Sequence, residues 1–306
     1  MGGAQGTRTE VTIEGRTLSL SNLGKVLYPA AGFTKARVID YYTQIARAML
    51  PHITGRPMTL KRYPNGVDQP FFFEKQCPSH APEWVRTYSI WSEDSHRDVD
   101  YCLVDDLPTL VWVANLAALE LHPLLSRVPD VGRPTAVVFD LDPGAPAGVL
   151  DCGEVALAIR DLIEPFGLHA LVKTSGSKGL QIYLPLNTPV TFDDAKTFAH
   201  AVAQTLERRM NGKVVSTMAK AVRAGRVFVD WSQNDEHKTT IAVYSLRDRE
   251  QPTVSTPLTW KELEAAVRTH DRDSLVFTAP AVLERISALG DLFAPANDLR
   301  QTLPTL

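Results

Sequence analysis

The stretch Val137-Val138-Phe139-Asp140-Leu141-Asp142-Pro143-Gly144 places two carboxylates at the end of an apolar run. The β-branched and aromatic residues before Asp140 favour a strand, and Pro143-Gly144 is typical of a strand end. Residues two apart in a strand point to the same face, so Asp140 and Asp142 should lie side by side. Such a pair repels unless a cation lies between its members, and Mg²⁺ or Mn²⁺ takes oxygen ligands. A solvated Asp pair in a turn is the alternative, and this stretch alone leaves it open.

A second acidic position lies in Val227-Phe228-Val229-Asp230-Trp231, where one carboxylate interrupts a run of strand-forming residues. A charge in such a strand is costly unless it is paired, exposed or bound to metal. Three carboxylates on two strands match two-metal phosphoryl transfer, in which one ion activates the attacking hydroxyl and the other neutralises the leaving pyrophosphate. The sequence therefore predicts Asp140, Asp142 and Asp230 as metal ligands and catalytic residues.

A glycine-rich loop, Lys173-Thr174-Ser175-Gly176-Ser177-Lys178-Gly179, lies between two predicted strands. Its backbone N–H groups, its serine hydroxyls and the charge of Lys178 suit a polyphosphate. The spacing is not that of a Walker A loop, and a plain turn is the alternative. Basic residues that could neutralise a triphosphate lie on both sides of Asp230: Arg223, Arg226, Lys238 and Arg247.

The N-terminal half carries aromatic and basic residues that suit nucleic acid. Lys61-Arg62 follow an apolar strand, and Phe71-Phe72-Phe73 follow a turn. Three consecutive phenylalanines cannot all face one core from a strand, so at least one should be exposed and able to stack on a base. A strand buried on both faces is the alternative. Asn22, Lys25 and Lys35 lie near the start of a predicted helix, where a terminal phosphate could dock.

Periodicity outlines a mixed α/β chain. An apolar helix face over 34–52 has Thr34 as its N-cap, and Thr191 with Asp194 has the capping-box pattern of a helix that ends near Arg209. Residues 110–121 are apolar nearly all round and predict a buried helix. The other predicted elements are a hairpin at 11–20, strands at 58–63, 88–91, 101–104, 135–142, 168–174, 180–186, 227–231 and 239–244, and helices at 153–166, 260–269 and 280–289.

Length and composition are those of a globular protein. The 306 residues are 44% hydrophobic, and the formal net charge of -3 does not exclude a local basic surface. Cys77, Cys102 and Cys152 form no CxxC pair, so we expect inert thiols in a reducing cytosol rather than a zinc ribbon or a disulfide framework. The polar N-terminus lacks the apolar core of a signal peptide, and no apolar run is long enough to span a membrane. These features predict a cytoplasmic protein without a membrane partner.

Together the motifs resemble the polymerase domain of bacterial ligase D, which belongs to the archaeo-eukaryotic primase superfamily and acts in non-homologous end joining. The resemblance rests on several long motifs in the same order: Asn22–Pro29, Lys61–Gly66, Val138–Gly144, Thr174–Leu180 and Val227–Asn234. It implies an α/β (α+β) fold with an RRM-like primase-polymerase catalytic core and an N-terminal α/β subdomain. The division we expect is a flexible tail at 1–10, a subdomain for template and 5′-phosphate binding at 11–130, and a catalytic subdomain with C-terminal helices at 131–306.

The resemblance also implies roles for individual residues. Asp140, Asp142 and Asp230 would bind two divalent ions, with Mn²⁺ favoured over Mg²⁺. Contacts to the incoming nucleotide or its triphosphate would come from His122, Ser175, Lys178, Gln181, Arg223, Lys238 and Arg247. The 5′-phosphate on the downstream side of a gap would be bound by Asn22, Lys25 and Lys35, template bases would stack on Phe72 and Phe73, and Lys61 would lie near the primer or template backbone.

The function implied is template-directed addition of NTPs or dNTPs, ribonucleotides preferentially, to a primer 3′-OH with release of pyrophosphate. The partners implied are DNA gaps or ends with a 5′-phosphate, the nucleotide, and end-joining or excision-repair proteins. Two departures stand against a simple transfer of the family's role. Gln181 stands where the family usually has a histidine, and a neutral amide cannot become cationic. The sequence also lacks a KxDG nucleotidyl-lysine motif, so we expect a stand-alone paralogue, for which gap filling in excision repair or primer synthesis is as open as a role in end joining.

Two alternatives remain open at this point. One is a catalytically weak protein that recognises gapped DNA, which the substitution at Gln181 favours. The other is a haloacid-dehalogenase-type phosphatase, in which Asp140 would be a covalent nucleophile. Against the phosphatase, Gly144 stands where that motif usually has Thr or Val, and the phenylalanine cluster at 71–73 would have no role.

Overall fold

The computed structural model describes residues 8–93 and 95–304 of the chain. The first strand begins at Arg8, so residues 8–10 of the expected tail lie in a strand, and residues 1–7 lie outside the described part. The elements of the first half are β1 (Arg8–Ile13), β2 (Arg16–Ser21), β3 (Val26–Tyr28), β4 (Phe33–Thr34), α1 (Lys35–Ile53), β5 (Pro57–Arg62), β6 (Phe72–Glu74), β7 (Thr87–Ser92), β8 (Arg97–Leu103), α2 (Leu107–Asn115) and β9 (Ala118–Pro123). Strands β6, β5, β8 and β7 form a sheet in that order, and β9 also pairs with β5.

The second half builds another sheet. Its elements are β10 (Ala136–Pro143), α3 (Val149–Ile163), β11 (Leu171–Thr174), β12 (Leu180–Pro185), α4 (Phe192–Arg209), β13 (Val214–Val215), β14 (Val227–Asp230), β15 (Pro257–Leu258), α5 (Trp260–Thr269), α6 (Ala279–Leu289) and α7 (Pro295–Asp298). The strand order is β13-β14-β10-β12-β11-β15. Its centre, β14-β10-β12-β11, is antiparallel throughout and is connected as β10-α3-β11-β12-α4-β14. This is the βαββαβ arrangement of RRM-like and ferredoxin-like domains, and it confirms the predicted fold class.

Residues of strand β10 alternate between the two faces of this sheet, one packed against helices and one that carries the carboxylates. Val137, Phe139 and Leu141 are fully buried in a core that includes residues of α3 and α4. Side chains alternate along a strand, so the intervening Asp140 and Asp142 point to the opposite face. The alternation in sequence therefore decides which face carries the carboxylates.

Segments from the C-terminal part pack into the core of the N-terminal half. Ala242, Val243 and Tyr244 belong to the hydrophobic cluster that contains the buried residues of α1 and β9. The hydroxyl of Tyr41 donates to the Tyr244 carbonyl at 2.8 Å. The chain around 242–244 therefore forms part of the core of the N-terminal half, and the expected division near residue 130 stays a prediction.

Local sequence accounts for several helix ends. The Thr34 hydroxyl accepts a hydrogen bond from the Arg37 N–H, as an N-cap does. Thr191 and Asp194 form a capping box at the start of α4, which ends at Arg209. Gly290, with a φ of 70°, follows the last residue of α6. These boundaries were predicted correctly from the sequence because capping chemistry is local.

The predicted helix over 110–121 is wrong in its second half. Helix α2 ends at Asn115, Ala117 takes a φ of 57°, and β9 runs from Ala118 to Pro123. A stretch that is apolar on every side has no periodicity to distinguish a helix from a strand buried on both faces. The change of direction at Ala117 brings β9 alongside β5, where Thr59 and His122 become direct partners.

The predicted strand over 239–244 is also wrong. In the part of the chain that the structure describes, this segment makes one isolated bridge, between Thr239 and Leu124, and Tyr244 has a φ of 66°. Its backbone is satisfied by other elements, since the Ala242 N–H donates to the Leu121 carbonyl at 2.9 Å. Residues with high strand propensity are here buried as irregular chain, because tertiary contacts outweigh propensity.

The expectation of three inert thiols is wrong for two of the cysteines. Cys77 and Cys102 form a disulfide, 25 residues apart in the chain, while Cys152 is free and buried as expected. The pair is brought together because the segment after β6 returns along β8, where the Cys77 N–H donates to the Asp100 carbonyl at 2.6 Å. Within residues 8–93 and 95–304, no helix is both long and apolar enough to cross a membrane.

Candidate active site

A row of polar side chains crosses the sheet of the second half. Asp140 on β10 lies directly opposite Asp230 on β14 and opposite Gln181 on β12. Gln181 in turn lies opposite Lys173 on β11. Directly opposed residues in an antiparallel pair share a face of the sheet. The register therefore places two of the predicted catalytic carboxylates next to each other, at the strand end that carries Asp142.

The carboxylates repel each other in this position. Burial and the nearby charge of Asp142 raise the pKa of Asp140 to about 7. Burial and the charge of Asp230 raise the pKa of Asp142 in the same way. Desolvation and like charge both disfavour the ionised form, and a bound cation would remove both penalties. The donor set therefore fits a hard divalent ion that takes oxygen ligands.

Asp230 is held by its own chain. Its Oδ1 accepts hydrogen bonds from the Ser232 N–H at 3.0 Å and from the Ser232 hydroxyl at 2.5 Å, and its Oδ2 accepts from Gln233 Nε2 at 3.1 Å. Lys238 Nζ donates to the same Ser232 hydroxyl at 2.6 Å. No group of three or more His, Cys, Asp or Glu side chains among the described residues is gathered closely enough to hold an ion. The three predicted ligands are therefore not drawn together around one point, and Asp230 is fixed by hydrogen bonds within its own segment.

The glycine-rich loop lies directly against β10. The Ser175 hydroxyl accepts hydrogen bonds from the N–H groups of Ser177 and Gly179, each at 3.2 Å, so this side chain shapes the loop. A Cβ at Gly179 would lie 1.9 Å from the carbonyl oxygen of Leu141, the residue between the two aspartates. This contact needs glycine, and it holds the loop at the carboxylates.

A cavity of about 260 Å³ lies between the loop, the carboxylates and β9. The predicted site residues that line it are His122, Asp140, Asp142, Ser175, Lys178, Gln181 and Arg247. It is also lined by Thr239, Thr240 and Ile241, which sequence reasoning had assigned to a strand rather than to the site. Seven side chains from separate parts of the sequence therefore share one solvent-accessible space of carboxylate and cationic groups.

Four of the residues predicted to be catalytic or to bind the triphosphate lie outside this cavity, namely Asp230, Arg223, Arg226 and Lys238. The Arg223 guanidinium stacks on the Phe228 ring, 3.7 Å from its centroid, and donates to the Met218 carbonyl at 2.7 Å. Its Nε is buried, and no residue of the described chain accepts a hydrogen bond from it. Arg223 does not line the cavity, but its charge is close enough to Asp142 to oppose part of the rise in the pKa of that carboxyl.

Gln181 connects Asp140 to a buried amine. Its Oε1 accepts a hydrogen bond from Lys173 Nζ at 2.6 Å, and its amide lies beside Asp140 and lowers the pKa of that carboxyl. Lys173 is fully buried and also donates to the Ser255 hydroxyl at 2.6 Å. Burial lowers the pKa of Lys173 to about 7. The neutral Gln181 side chain thus lies between the Lys173 amine and the Asp140 carboxylate and contacts both.

Sequence reasoning missed Glu120, which lies in β9 between two buried leucines and is 1% exposed. Its carboxylate accepts a hydrogen bond from His122 Nε2 at 2.8 Å and lies 3.2 Å from Arg247 Nε. A carboxylate in an apolar strand was the signal that identified Asp230, and the same signal marks Glu120. It went unused because the segment was interpreted as a helix.

The phenylalanine cluster, Phe71 to Phe73, is exposed on all three side chains, at 47%, 43% and 57%. Lys61 is buried beneath it, with Nζ 4.3 Å from the Phe71 centroid and 2.8 Å from Asp248 Oδ2. The Phe73 ring centroid lies 6.0 Å from that of His122, which lines the cavity. The exposed aromatic surface is therefore continuous with the cavity, whereas Lys61 is engaged within the protein.

Asn22, Lys25 and Lys35 lie together at the start of α1. Burial, with the neighbouring charges of Lys25 and Arg62, lowers the pKa of Lys35 to about 8. Lys25 Nζ donates to the Asn65 side chain at 2.7 Å, and Lys35 Nζ to the Ser21 hydroxyl at 3.3 Å. Cations gathered at a helix N-terminus repel each other, and a bound anion would offset that repulsion.

Comparison with known proteins identifies the family to which the chain is similar. The model of the family described as LigD, primase-polymerase domain, matches residues 34–293. The multifunctional non-homologous end joining DNA repair protein LigD of Mycobacterium tuberculosis is 48% identical over 286 residues, which are 90% of this chain and 36% of that protein. LigD of Mycolicibacterium smegmatis is 46% identical over 282 residues, which are 91% of this chain and 36% of that protein.

A solved structure agrees with these matches. The polymerase domain of Mycobacterium tuberculosis ligase D in complex with DNA superimposes with a TM-score of 0.85 at 45% identity, covering 93% of this chain and 99% of that one. The chain spans little more than a third of the mycobacterial relatives, 36% of each. The family model, the mycobacterial relatives and the solved structure together show that this chain belongs to the LigD primase-polymerase domain family.

Proposed function

We propose that the protein is a template-directed DNA nucleotidyltransferase that adds NTPs or dNTPs, ribonucleotides preferentially, at short gaps or breaks during end joining. The observation that carries this proposal is the shared cavity, in which Asp140 and Asp142 face His122 and Arg247. Cations and hydroxyls on one side suit a triphosphate, and paired carboxylates on the other suit the ions that accompany it. The related mycobacterial proteins are named as end-joining DNA repair proteins, and the solved polymerase domain is a complex with DNA.

The side chains in and beside the cavity have separate roles. Lys178 and Arg247 bind the triphosphate, and Ser175 shapes the loop whose N–H groups can donate to it. Gln181 orients Asp140. Asp140, Asp142 and Asp230 would hold two divalent ions, Mn²⁺ or Mg²⁺, and these ions would lower the pKa of the primer 3′-OH and neutralise charge on the leaving pyrophosphate.

The DNA lies across the N-terminal half. Template bases stack on Phe72 and Phe73, which are both exposed, and the Phe73 ring lies beside His122 of the cavity. A downstream 5′-phosphate binds at Lys25 and Lys35, where burial and the neighbouring cations lower the pKa of Lys35. Partners would be gapped or broken bacterial DNA in the cytoplasm and proteins of end joining or excision repair.

The direct test is primer extension on a short gapped duplex with NTPs or dNTPs and with Mn²⁺ or Mg²⁺. We expect metal-dependent extension with release of pyrophosphate and a preference for NTPs. Gap binding without extension would instead support a catalytically weak DNA-binding protein and make Gln181 the first residue to exchange. Release of phosphate from simple phosphoesters would support the phosphatase.

Removing the downstream 5′-phosphate should weaken binding of gapped DNA about 10-fold, the effect of one charge-assisted contact, in fluorescence anisotropy at fixed salt. In Lys25→Ala most of this phosphate dependence should disappear, because an exposed cation next to Lys35 is lost. Lys261→Ala, which removes an exposed lysine on α5, is the matched control. Equal phosphate dependence in both variants would contradict the assigned pocket.

Mn²⁺ should stabilise the protein through Asp142. At a concentration about 100-fold above its Kd, one ion should raise Tm by about 5 °C, because it binds the folded state and removes the repulsion between Asp140 and Asp142. Asp142→Asn should lose most of this shift and, in EDTA, melt at or above the wild-type temperature. Differential scanning fluorimetry measures both. An unchanged Mn²⁺ shift in the variant would place the ion elsewhere.

A further inference from the structure

Glu120 is a buried carboxylate surrounded by donors from three parts of the chain. Its Oε2 accepts from His122 Nε2 at 2.8 Å and lies 3.6 Å from Lys61 Nζ. Its Oε1 accepts from the Asp248 N–H at 3.0 Å and lies 3.2 Å from Arg247 Nε. Burial raises the pKa of Glu120, but the His122 hydrogen bond and the Arg247 charge outweigh it and hold that pKa below its usual range. The side chain is therefore a buried anion.

Two of its partners line the nucleotide cavity. His122 and Arg247 both have side chains at the wall of the 260 Å³ space that Asp140 and Asp142 share. The carboxylate acceptor requires the proton of the His122 ring on Nε2. In the described chain Nδ1 has no protein partner, which leaves it as an acceptor. Burial lowers the pKa of His122 despite the opposing effect of Glu120, which favours the neutral ring, and the hydrogen bond to Glu120 selects one tautomer of that ring.

Arg247 is held by charge rather than by a complete set of hydrogen bonds. Its Nε is buried and, although 3.2 Å from Glu120 Oε1, its angle to that oxygen does not make a hydrogen bond. The backbone beside it is fixed on both sides, since the Tyr28 hydroxyl donates to the Arg247 carbonyl at 2.9 Å and Glu120 accepts from the next N–H. Glu120 thus sets where the guanidinium stands while leaving it hydrogen-bonding capacity.

We propose that Glu120 is a positioning residue for the incoming nucleotide, which it serves by fixing the His122 tautomer and aiming Arg247 into the cavity. The inference rests on the proposed function of that cavity. A purely structural role would predict loss of stability alone. A positioning role predicts a specific loss of nucleotide affinity, because both groups that it orients face the ligand rather than the core.

The same carboxylate also reaches the DNA side. Lys61 lies beneath the phenylalanine cluster and shares Glu120 with His122. The anion offsets the charges of Lys61 and Arg247, which would otherwise repel each other below the aromatic surface. Asp248 also accepts from Lys61 Nζ, so Lys61 keeps a partner when Glu120 is changed, and the DNA surface should persist.

The chain offers a matched control. Asp291 accepts from His52 Nε2 at 2.7 Å and from the Tyr244 hydroxyl at 2.6 Å, which makes a second carboxylate–histidine pair, with a buried histidine and a partly buried carboxylate. Neither Asp291 nor His52 lines the nucleotide cavity. Glu120→Gln and Asp291→Asn therefore remove the same kind of charge, one beside the nucleotide and one remote from it.

Gap extension kinetics on wild type, Glu120→Gln and Asp291→Asn separate the roles. We expect Glu120→Gln to raise the nucleotide KM about 10-fold, the effect of one charged hydrogen bond, with a smaller change in kcat and unchanged affinity for gapped DNA. Asp291→Asn should leave KM unchanged at comparable loss of Tm. In a His122→Ala background Glu120→Gln should raise KM less than it does alone, because part of its effect passes through His122.

The inference is overturned if KM is unchanged in Glu120→Gln, or if both variants raise it equally. ¹⁵N chemical shifts of the His122 ring in the wild-type protein give a readout that needs no variant to fold. They should show Nε2 protonated and Nδ1 unprotonated, and a protonated Nδ1 would overturn the assignment. An inactive wild-type protein would contradict the proposed function instead. The chemical shifts can be measured whether or not the protein is active, so the two failures can be distinguished.

Discussion

Asp140→Asn should abolish nucleotide addition, with a loss in kcat of about 10³-fold or more, while gapped DNA is still bound. The carboxylate lies at the centre of the row that joins Asp230, Gln181 and Lys173, and it lines the nucleotide cavity. Stabilisation of transition-state charge by a bound ion is worth several kcal/mol, and that contribution is lost with its ligand. Single-turnover extension of a gapped primer measures the rate, and anisotropy measures DNA affinity.

Asp161→Asn is the control for this change. Asp161 is an exposed aspartate of α3 that pairs with Arg160, remote from the cavity. It should extend primers at the wild-type rate. Retained synthesis in Asp140→Asn would remove Asp140 from the catalytic set, and loss of DNA binding in parallel would mean that the substitution disturbs more than the carboxylate.

Gly179→Ala should disable the nucleotide site and lower Tm by about 5 °C. Its Cβ would lie 1.9 Å from the Leu141 carbonyl oxygen, so either the loop or β10 must move. Backbone shifts of this kind cost roughly 2–3 kcal/mol. The shift would also separate the Ser175 loop from Asp140 and Asp142, so nucleotide addition should fall further than stability. Thermal melting and extension kinetics on the same preparation compare the two effects.

Gly132→Ala is the matched control, because no atom lies within 4 Å of a Cβ at that exposed glycine. Its Tm and its extension rate should stay near the wild-type values. If Gly179→Ala keeps full activity, the loop does not need its close approach to β10, and its part in triphosphate binding must be abandoned.

The agreement between sequence and structure follows the range of the interactions involved. The alternation that separates Asp140 and Asp142 from Phe139 and Leu141 is a property of any strand, and the structure shows it. The Thr191 capping box lies within four residues, and α4 begins there. The apolar stretch at 110–121 was misread because a helix and a strand buried on both faces share one composition.

The candidate site was only partly accessible to the same reasoning. Motifs marked Asp140, Ser175 and Arg247, and the structure brings these residues to one cavity. No spacing rule connects Glu120 to Arg247, which lie 127 positions apart and meet through the packing of β9 against the irregular chain after residue 239. The sequence marks Lys173 only as the first residue of the glycine-rich loop. Its fully buried position beside Gln181 depends on the register of the sheet.

The sequence by itself determined the local features of this protein: which strand ends carry carboxylates, where helices begin, and that three phenylalanines in succession cannot all be buried. Each depends on residues within one element, where periodicity and capping act. Tertiary structure alone decided the partners of those residues. The opposition of Asp140 to Asp230, the Cys77–Cys102 disulfide and the anion at Glu120 all require elements distant in sequence to pack together. The register of the sheets and the desolvation of buried charge set these contacts, and neither is encoded within a single segment.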